Sequence, residues 1–97
     1  MDLKQFETAC GKTLELLVGR CGPVLIEAQR IPEIPCSPQH IKWMLIQAAL
    51  FYAEGKIEKA NRWLGYTQGV LASVGVDLEK LKRCNMPEGE QFDGERV

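Results

Sequence analysis

The sequence predicts an all-α fold, a small helical bundle built on an antiparallel helical hairpin. Three observations predict it. Between residues 38 and 74 the apolar residues recur at steps of three and four, the period of a helix face. Gly55 interrupts that pattern once and Gly75 ends it, both as helix stops. The alternative, a strand at 24–26 or 70–76, lacks the paired turn signals of a hairpin.

A chain of 97 residues makes one domain with a modest core, of a size often completed by a partner chain. The domain is expected to span 1–87, with a proline-rich connector at 31–38 and a flexible acidic tail at 88–97.

In chain order, Asp2 caps a first helix, with Gln5 in the capping-box position. Leu3, Phe6, Cys10, Leu14 and Leu17 form its buried face, and Gly19 is its expected stop. Pro23 opens a short second segment carrying Val24, Leu25, Ile26 and Ala28, or a kinked continuation of the first helix. Pro32, Pro35 and Pro38 then deny helix and favour an extended polyproline connector. The spacing satisfies P-x-x-P twice, but no basic cluster flanks it. A stiff connector with Ile31 and Ile34 packed on the bundle is therefore preferred to a ligand for an SH3-type domain.

Ser37 and Pro38 start the central helix, which runs to about Glu54. It is apolar on two sides. Ile41, Met44, Leu45, Ala48, Phe51 and Tyr52 form one stripe, and Trp43, Ile46, Leu50 and Ala53 another. A helix apolar nearly all round is buried on both sides. Trp43, Ile46 and Leu50 are thus an oligomer or core face, to be covered by the first helix or by a second subunit. A homo-oligomer is expected.

The next helix, about 56–74, buries Ile57, Ala60, Trp63, Leu64, Thr67, Val70, Leu71 and Val74. Its tight connection makes it run back along the central helix. Arg62, Gly65, Tyr66 and Gly69 lie off that stripe. Two mid-helix glycines cost about 2 kcal/mol in propensity, which suits close approach of another backbone or a flat ligand. A guanidinium, a phenol and open glycine backbone also suit a phosphate or nucleobase. This quartet is the expected ligand or partner face. The competing structural use is a Glu58–Arg62 pair worth about 0.3–0.5 kcal/mol, with Tyr66 laid over a neighbouring helix. Asp77 caps a last short helix containing Leu78 and Leu81. Its Lys80, Lys82 and Arg83 complement the dipole at the C-terminal end.

Composition removes several function classes. Lys+Arg 12 against Asp+Glu 13 leaves a net charge of −1, so no overall field draws the chain to nucleic acid. No apolar run approaches the roughly 20 residues that span a bilayer, and the first residues have no signal-peptide layout. The expectation is a cytosolic protein without membrane contact. Cys10, Cys21, Cys36 and Cys84 then stay reduced. Cys36 with His40 is the closest approach to a metal or nucleophile pair, but a zinc site needs two more ligands and a thiol catalyst needs an orienting third group. No phosphate-binding or dinucleotide glycine loop is present. No catalytic residue, metal or cofactor is assigned, and the protein is not expected to be an enzyme.

The run Lys59-Ala60-Asn61-Arg62-Trp63-Leu64-Gly65-Tyr66-Thr67-Gln68-Gly69-Val70-Leu71 is the most distinctive stretch. With Asp77-Leu78-Glu79-Lys80-Leu81-Lys82 after it, it resembles a group of small tailed-bacteriophage proteins. They share a K-A-x-R-W-L-G-aromatic-x-Q-G helix and a later short helix ending in Asn and Pro. The resemblance covers roughly residues 40 to 87; residues 1 to 36 lie outside it. It implies a phage origin and a place in the host cytoplasm, and it carries over no catalytic residue. Small phage proteins of this kind often act by binding a host enzyme, a defence complex or a signalling nucleotide. The expected function is non-enzymatic protein–protein interaction that modulates a host or phage protein. The alternative is an oligomer that sequesters a nucleotide-type ligand.

Overall fold

The computed structural model describes residues 2–21 and 27–86. They form four helices: α1 (Leu3–Cys21), α2 (Pro38–Ala53), α3 (Ile57–Ser73) and α4 (Leu78–Cys84), with no strand among the described residues. The architecture is the predicted helical bundle. α2 and α3 form the hairpin and share the most extensive contact; α1 packs on α2 and α4. The expected segment at 24–26 and the tail at 88–97 lie outside the described residues. Ala28 is exposed and outside any helix.

The helix ends follow local chemistry. At the start of α1 the capping box is reciprocal: the Gln5 amide donates to Asp2 Oδ1 at 2.8 Å and the Asp2 amide to Gln5 Oε1 at 2.9 Å. Gly19 does not stop α1, which continues to Cys21. A glycine ends a helix only when it turns left-handed, and Gly19 keeps a negative φ.

Gly55 and Gly75 do turn, with φ of 88° and 100°. Each closes a Schellman motif. The Lys56 amide donates to the Phe51 carbonyl at 2.8 Å, and the Val76 amide to the Leu71 carbonyl at 3.0 Å. α2 and α3 therefore end in the same way, and the first of these turns sets the hairpin. The Arg20 side chain adds a tie from α1, donating from Nε to the Val74 carbonyl at 3.1 Å.

The core joins Phe6, Ala9, Cys10 and Leu17 of α1 to Ile41, Leu45 and Ala48 of α2. Ala60, Leu64 and Leu71 of α3 and Leu81 of α4 complete it. Phe6 stacks on Tyr52 with ring centroids 4.5 Å apart, locking the start of α1 to the end of α2. Several residues expected inside are exposed, Leu3, Ile57, Val74 and Leu78 among them. Leu3, Ile57 and Leu78 are the first residues of their helices and Val74 is the C-cap of α3, so each sits at a helix end rather than in its middle.

The connector departs from expectation. It is not extended: the Ile34 amide donates to the Ile31 carbonyl at 3.1 Å and the Ser37 amide to the Ile34 carbonyl at 3.0 Å. These are two successive turns, with Pro32 and Pro35 each in the second position, where the fixed proline φ favours a turn. Ile34 is carried to the outside as a result, while Ile31 is half-buried.

Candidate binding cleft

Two hollows flank α3, and they divide the residues that the sequence put on one face. The larger, about 530 Å³, opens where the hairpin meets the connector. α3 contributes Arg62, Trp63 and Tyr66, α2 contributes His40, Trp43 and Met44, and the connector contributes Arg30, Pro32 and Pro35. The smaller, about 250 Å³, lies between α3 and α4, with Gly65, Gln68, Gly69 and Ala72 facing Leu78, Leu81, Lys82 and Asn85. Arg62 and Tyr66 thus belong to one site and Gly65 and Gly69 to another.

The glycines do not serve close packing. A Cβ built on Gly65 or Gly69 would meet no atom within 4 Å from a neighbouring element, so no other helix backbone approaches them. The expectation of tight helix contact at these positions is corrected: α4 crosses this face through side chains. Its main tie is polar. Gln68 Nε2 donates to Asn85 Oδ1 at 2.9 Å, Asn85 Nδ2 returns a bond to Gln68 Oε1 at 3.0 Å, and Gln68 Nε2 also donates to Thr13 Oγ1 at 3.1 Å. Thr13 is fully buried, and its hydroxyl donates a hydrogen bond to the Ala9 carbonyl at 2.7 Å. The cluster joins α1, α3 and the end of α4, and its groups bond to one another.

The larger hollow is built differently. Aromatic rings line up along the hairpin: His40 to Trp43 at 5.4 Å, Trp43 to Trp63 at 5.7 Å, and Trp63 edge-on to Phe51 at 4.8 Å. Trp43 is therefore half-buried against α3, whereas Ile46 and Leu50, expected to be covered with it, are 43% and 50% exposed. α1 takes the other side of α2, so no element of the described chain closes over Ile46 and Leu50. Lys59 lies over Phe51 at 4.4 Å, at the far end of the aromatic row.

Among the described residues, charge in the larger hollow is of one sign: Arg30 and Arg62 line it and no carboxylate does. Arg62 is exposed and, among the described residues, forms no ion pair with Glu58 one turn earlier. The Arg30 guanidinium stands over the Trp43 ring at 5.9 Å. Tyr66, 49% exposed, sits one turn after Arg62 on the same wall.

His40 is only 8% exposed, so it is not a surface histidine. Its Nδ1 accepts the Ile31 amide at 2.9 Å, so the ring proton sits on Nε2. Its own amide donates to the Ser37 hydroxyl at 3.3 Å, the cap of α2. It makes no hydrogen bond to Cys36, which is exposed on the connector. All four cysteines are free thiols. Burial, with a smaller push from Glu7, raises the Cys10 thiol to about 12, and burial also raises Cys84. Among the described residues, no three His, Cys, Asp or Glu side chains are placed to share a metal ion, and no helix is long and apolar enough to cross a membrane.

The sequence singles out Arg62 and Tyr66 as part of a ligand or partner face and Trp43 as part of an oligomer or core face; the structure lines one hollow with all three and adds Arg30, Pro32, Pro35 and His40, which the sequence did not group with them. One signal was available: His40 and Trp43 are three residues apart and so share a helix face. The fold-back of the connector depends on long-range bonds that spacing does not reveal.

The class these features define is a small all-α protein with a cationic, aromatic surface cleft. No protein-family model matches the chain, and no curated protein and no solved structure gave a match.

Proposed function

We propose that this protein acts by non-covalent binding, and that its ligand is a nucleotide-type anion with a flat ring held in the larger hollow. One observation carries the reading: Arg30 and Arg62 line one hollow with Trp43 and Tyr66, and no carboxylate among the described residues joins them. Guanidinium groups form bidentate, charge-assisted hydrogen bonds with phosphate. Aromatic faces stack bases at about 1–3 kcal/mol each. The hollow's size, about 530 Å³, falls in the usual range of roughly 300–1,000 Å³ for small-molecule sites. The phage resemblance adds a setting, sequestration of a nucleotide signal in a host cytoplasm. The test is a thermal-shift screen of AMP, ADP, NAD and a cyclic dinucleotide. At least one should raise the melting temperature, and Arg62→Ala should abolish that rise. No shift with any of the four would count against the reading.

A second reading is a non-enzymatic module that binds a host or phage protein, or its own twin. The exposure of Ile46 and Leu50 on a helix apolar all round favours it. Light scattering at micromolar concentration tests the twin: a strict monomer would remove it. Capture from host lysate by wild type but not by Ile46→Glu would support a foreign partner, and equal capture by both would remove this face from the account.

A further inference from the structure

We infer that Arg30 is a ligand-contacting cation of the larger hollow and that His40 is the positioning residue that holds it there. The inference rests on the binding reading above and deepens it. Arg30 belongs to no helix and is exposed, yet its backbone is tied on both sides. The Gln29 amide donates to the Gln39 carbonyl at 3.1 Å, and the Ile31 amide donates to His40 Nδ1 at 2.9 Å. Both acceptors belong to the first turn of α2, one residue apart. This two-point clamp lays the connector along α2 and leaves the Arg30 guanidinium over Trp43, one helical turn from His40. The two turns that follow, closed at Ile34 and Ser37, bring Pro32 and Pro35 into the same wall.

The chemistry follows from that placement. A cation held over an aromatic face by a clamped backbone needs little reordering to meet an anion, so less conformational freedom is lost on binding. Arg62 reaches the hollow from the opposite element, α3. A phosphate taken between the two has a guanidinium from each wall, with Trp43 and Tyr66 left for the ring. His40 acts through the acceptor on its Nδ1. Asparagine offers an oxygen close to that position, whereas leucine offers a similar bulk and no acceptor.

The experiment compares Arg30→Ala, His40→Leu, His40→Asn and Arg62→Ala with wild type, using whichever of AMP, ADP, NAD or a cyclic dinucleotide wild type binds best. Amide hydrogen exchange at Ile31 is followed in the free proteins. The expected result is at least tenfold weaker binding for Arg30→Ala and His40→Leu, and near-wild-type binding for His40→Asn. Ile31 exchange should rise at least tenfold in His40→Leu and stay low in His40→Asn. Loss of binding in Arg62→Ala alone would leave the binding reading standing and overturn this one. If no probe binds wild type, the binding reading fails and takes the ligand-contacting role of Arg30 with it. Ile31 exchange then still decides the clamp, and unchanged protection in His40→Leu would overturn that too.

Discussion

The two hollows beside α3 differ in how their polar groups are satisfied. In the smaller, Gln68 and Asn85 exchange amide bonds and Thr13 takes a third, so the site closes on itself. In the larger, Arg62 and Arg30 line the cavity with aromatic rings, two prolines and Met44, and no carboxylate among the described residues joins them. Both have volume and both adjoin the same helix. Volume alone does not tell the two apart; the aromatic row and the two guanidiniums of the larger hollow do.

Breaking the boundary between them should have the largest effect. Leu64 is 3% exposed and lies in the core cluster, between Trp63 of one hollow and Gly65 of the other. Leu64→Ala should cost about 2–5 kcal/mol in denaturant unfolding, because a buried cavity is left behind. A cost under about 1 kcal/mol would mean the helices are not packed as described. Next comes the polar joint. Gln68→Leu removes the bond to buried Thr13 and the two exposed bonds with Asn85, at about 0.5–1.5 kcal/mol. It should leave nucleotide binding intact if the smaller hollow is structural.

The glycines sharpen the contrast from the other direction. Gly65 and Gly69 are helical, keep negative φ and have free space where a Cβ would go. Gly65→Ala and Gly69→Ala should each stabilise the fold by about 0.5–1 kcal/mol. Destabilisation would show that something does approach this face. The smallest effect concerns thiols. Burial raises Cys10 to about 12 and raises Cys84 as well, so both remain protonated and covered near neutral pH. Iodoacetamide at about pH 8 should therefore label Cys21 and Cys36 in the native protein and all four after denaturation. Native labelling of Cys10 would place an opening motion inside the core.

Much of the fold was legible because local signals and periodicity agreed. The reciprocal Asp2–Gln5 cap, the Ser37 and Asp77 caps and the left-handed turns at Gly55 and Gly75 are all local chemistry. The site was legible only in part. A helical wheel puts Arg62, Gly65, Tyr66 and Gly69 on one side, but α4 meets the Gly65–Gly69 edge and leaves the Arg62–Tyr66 edge to the connector. Helix periodicity gives angles around an axis and says nothing of which neighbour occupies each angle. The connector was misread for a related reason. Three prolines bias each residue away from helix, but a proline suits an extended chain and the second position of a turn alike, and bonds closing at Ile34 and Ser37 make it two turns. Of the two covers the sequence allows for Ile46 and Leu50, α1 is not the one, since it packs on the other side of α2 and leaves both exposed within the described chain.

The central claim is that α3 carries a ligand site on its Arg62 edge and a joint on its glycine edge. Calorimetric titration of the best-binding nucleotide into Arg62→Ala, and into a Gly65→Ala, Gly69→Ala double variant, tests it most directly. The account predicts at least tenfold weaker binding for Arg62→Ala, as loss of a charge-assisted hydrogen bond of about 1.5–3 kcal/mol requires, and wild-type affinity for the double variant. Wild-type affinity in Arg62→Ala, with loss in the double variant, would contradict it and move the site to the other hollow.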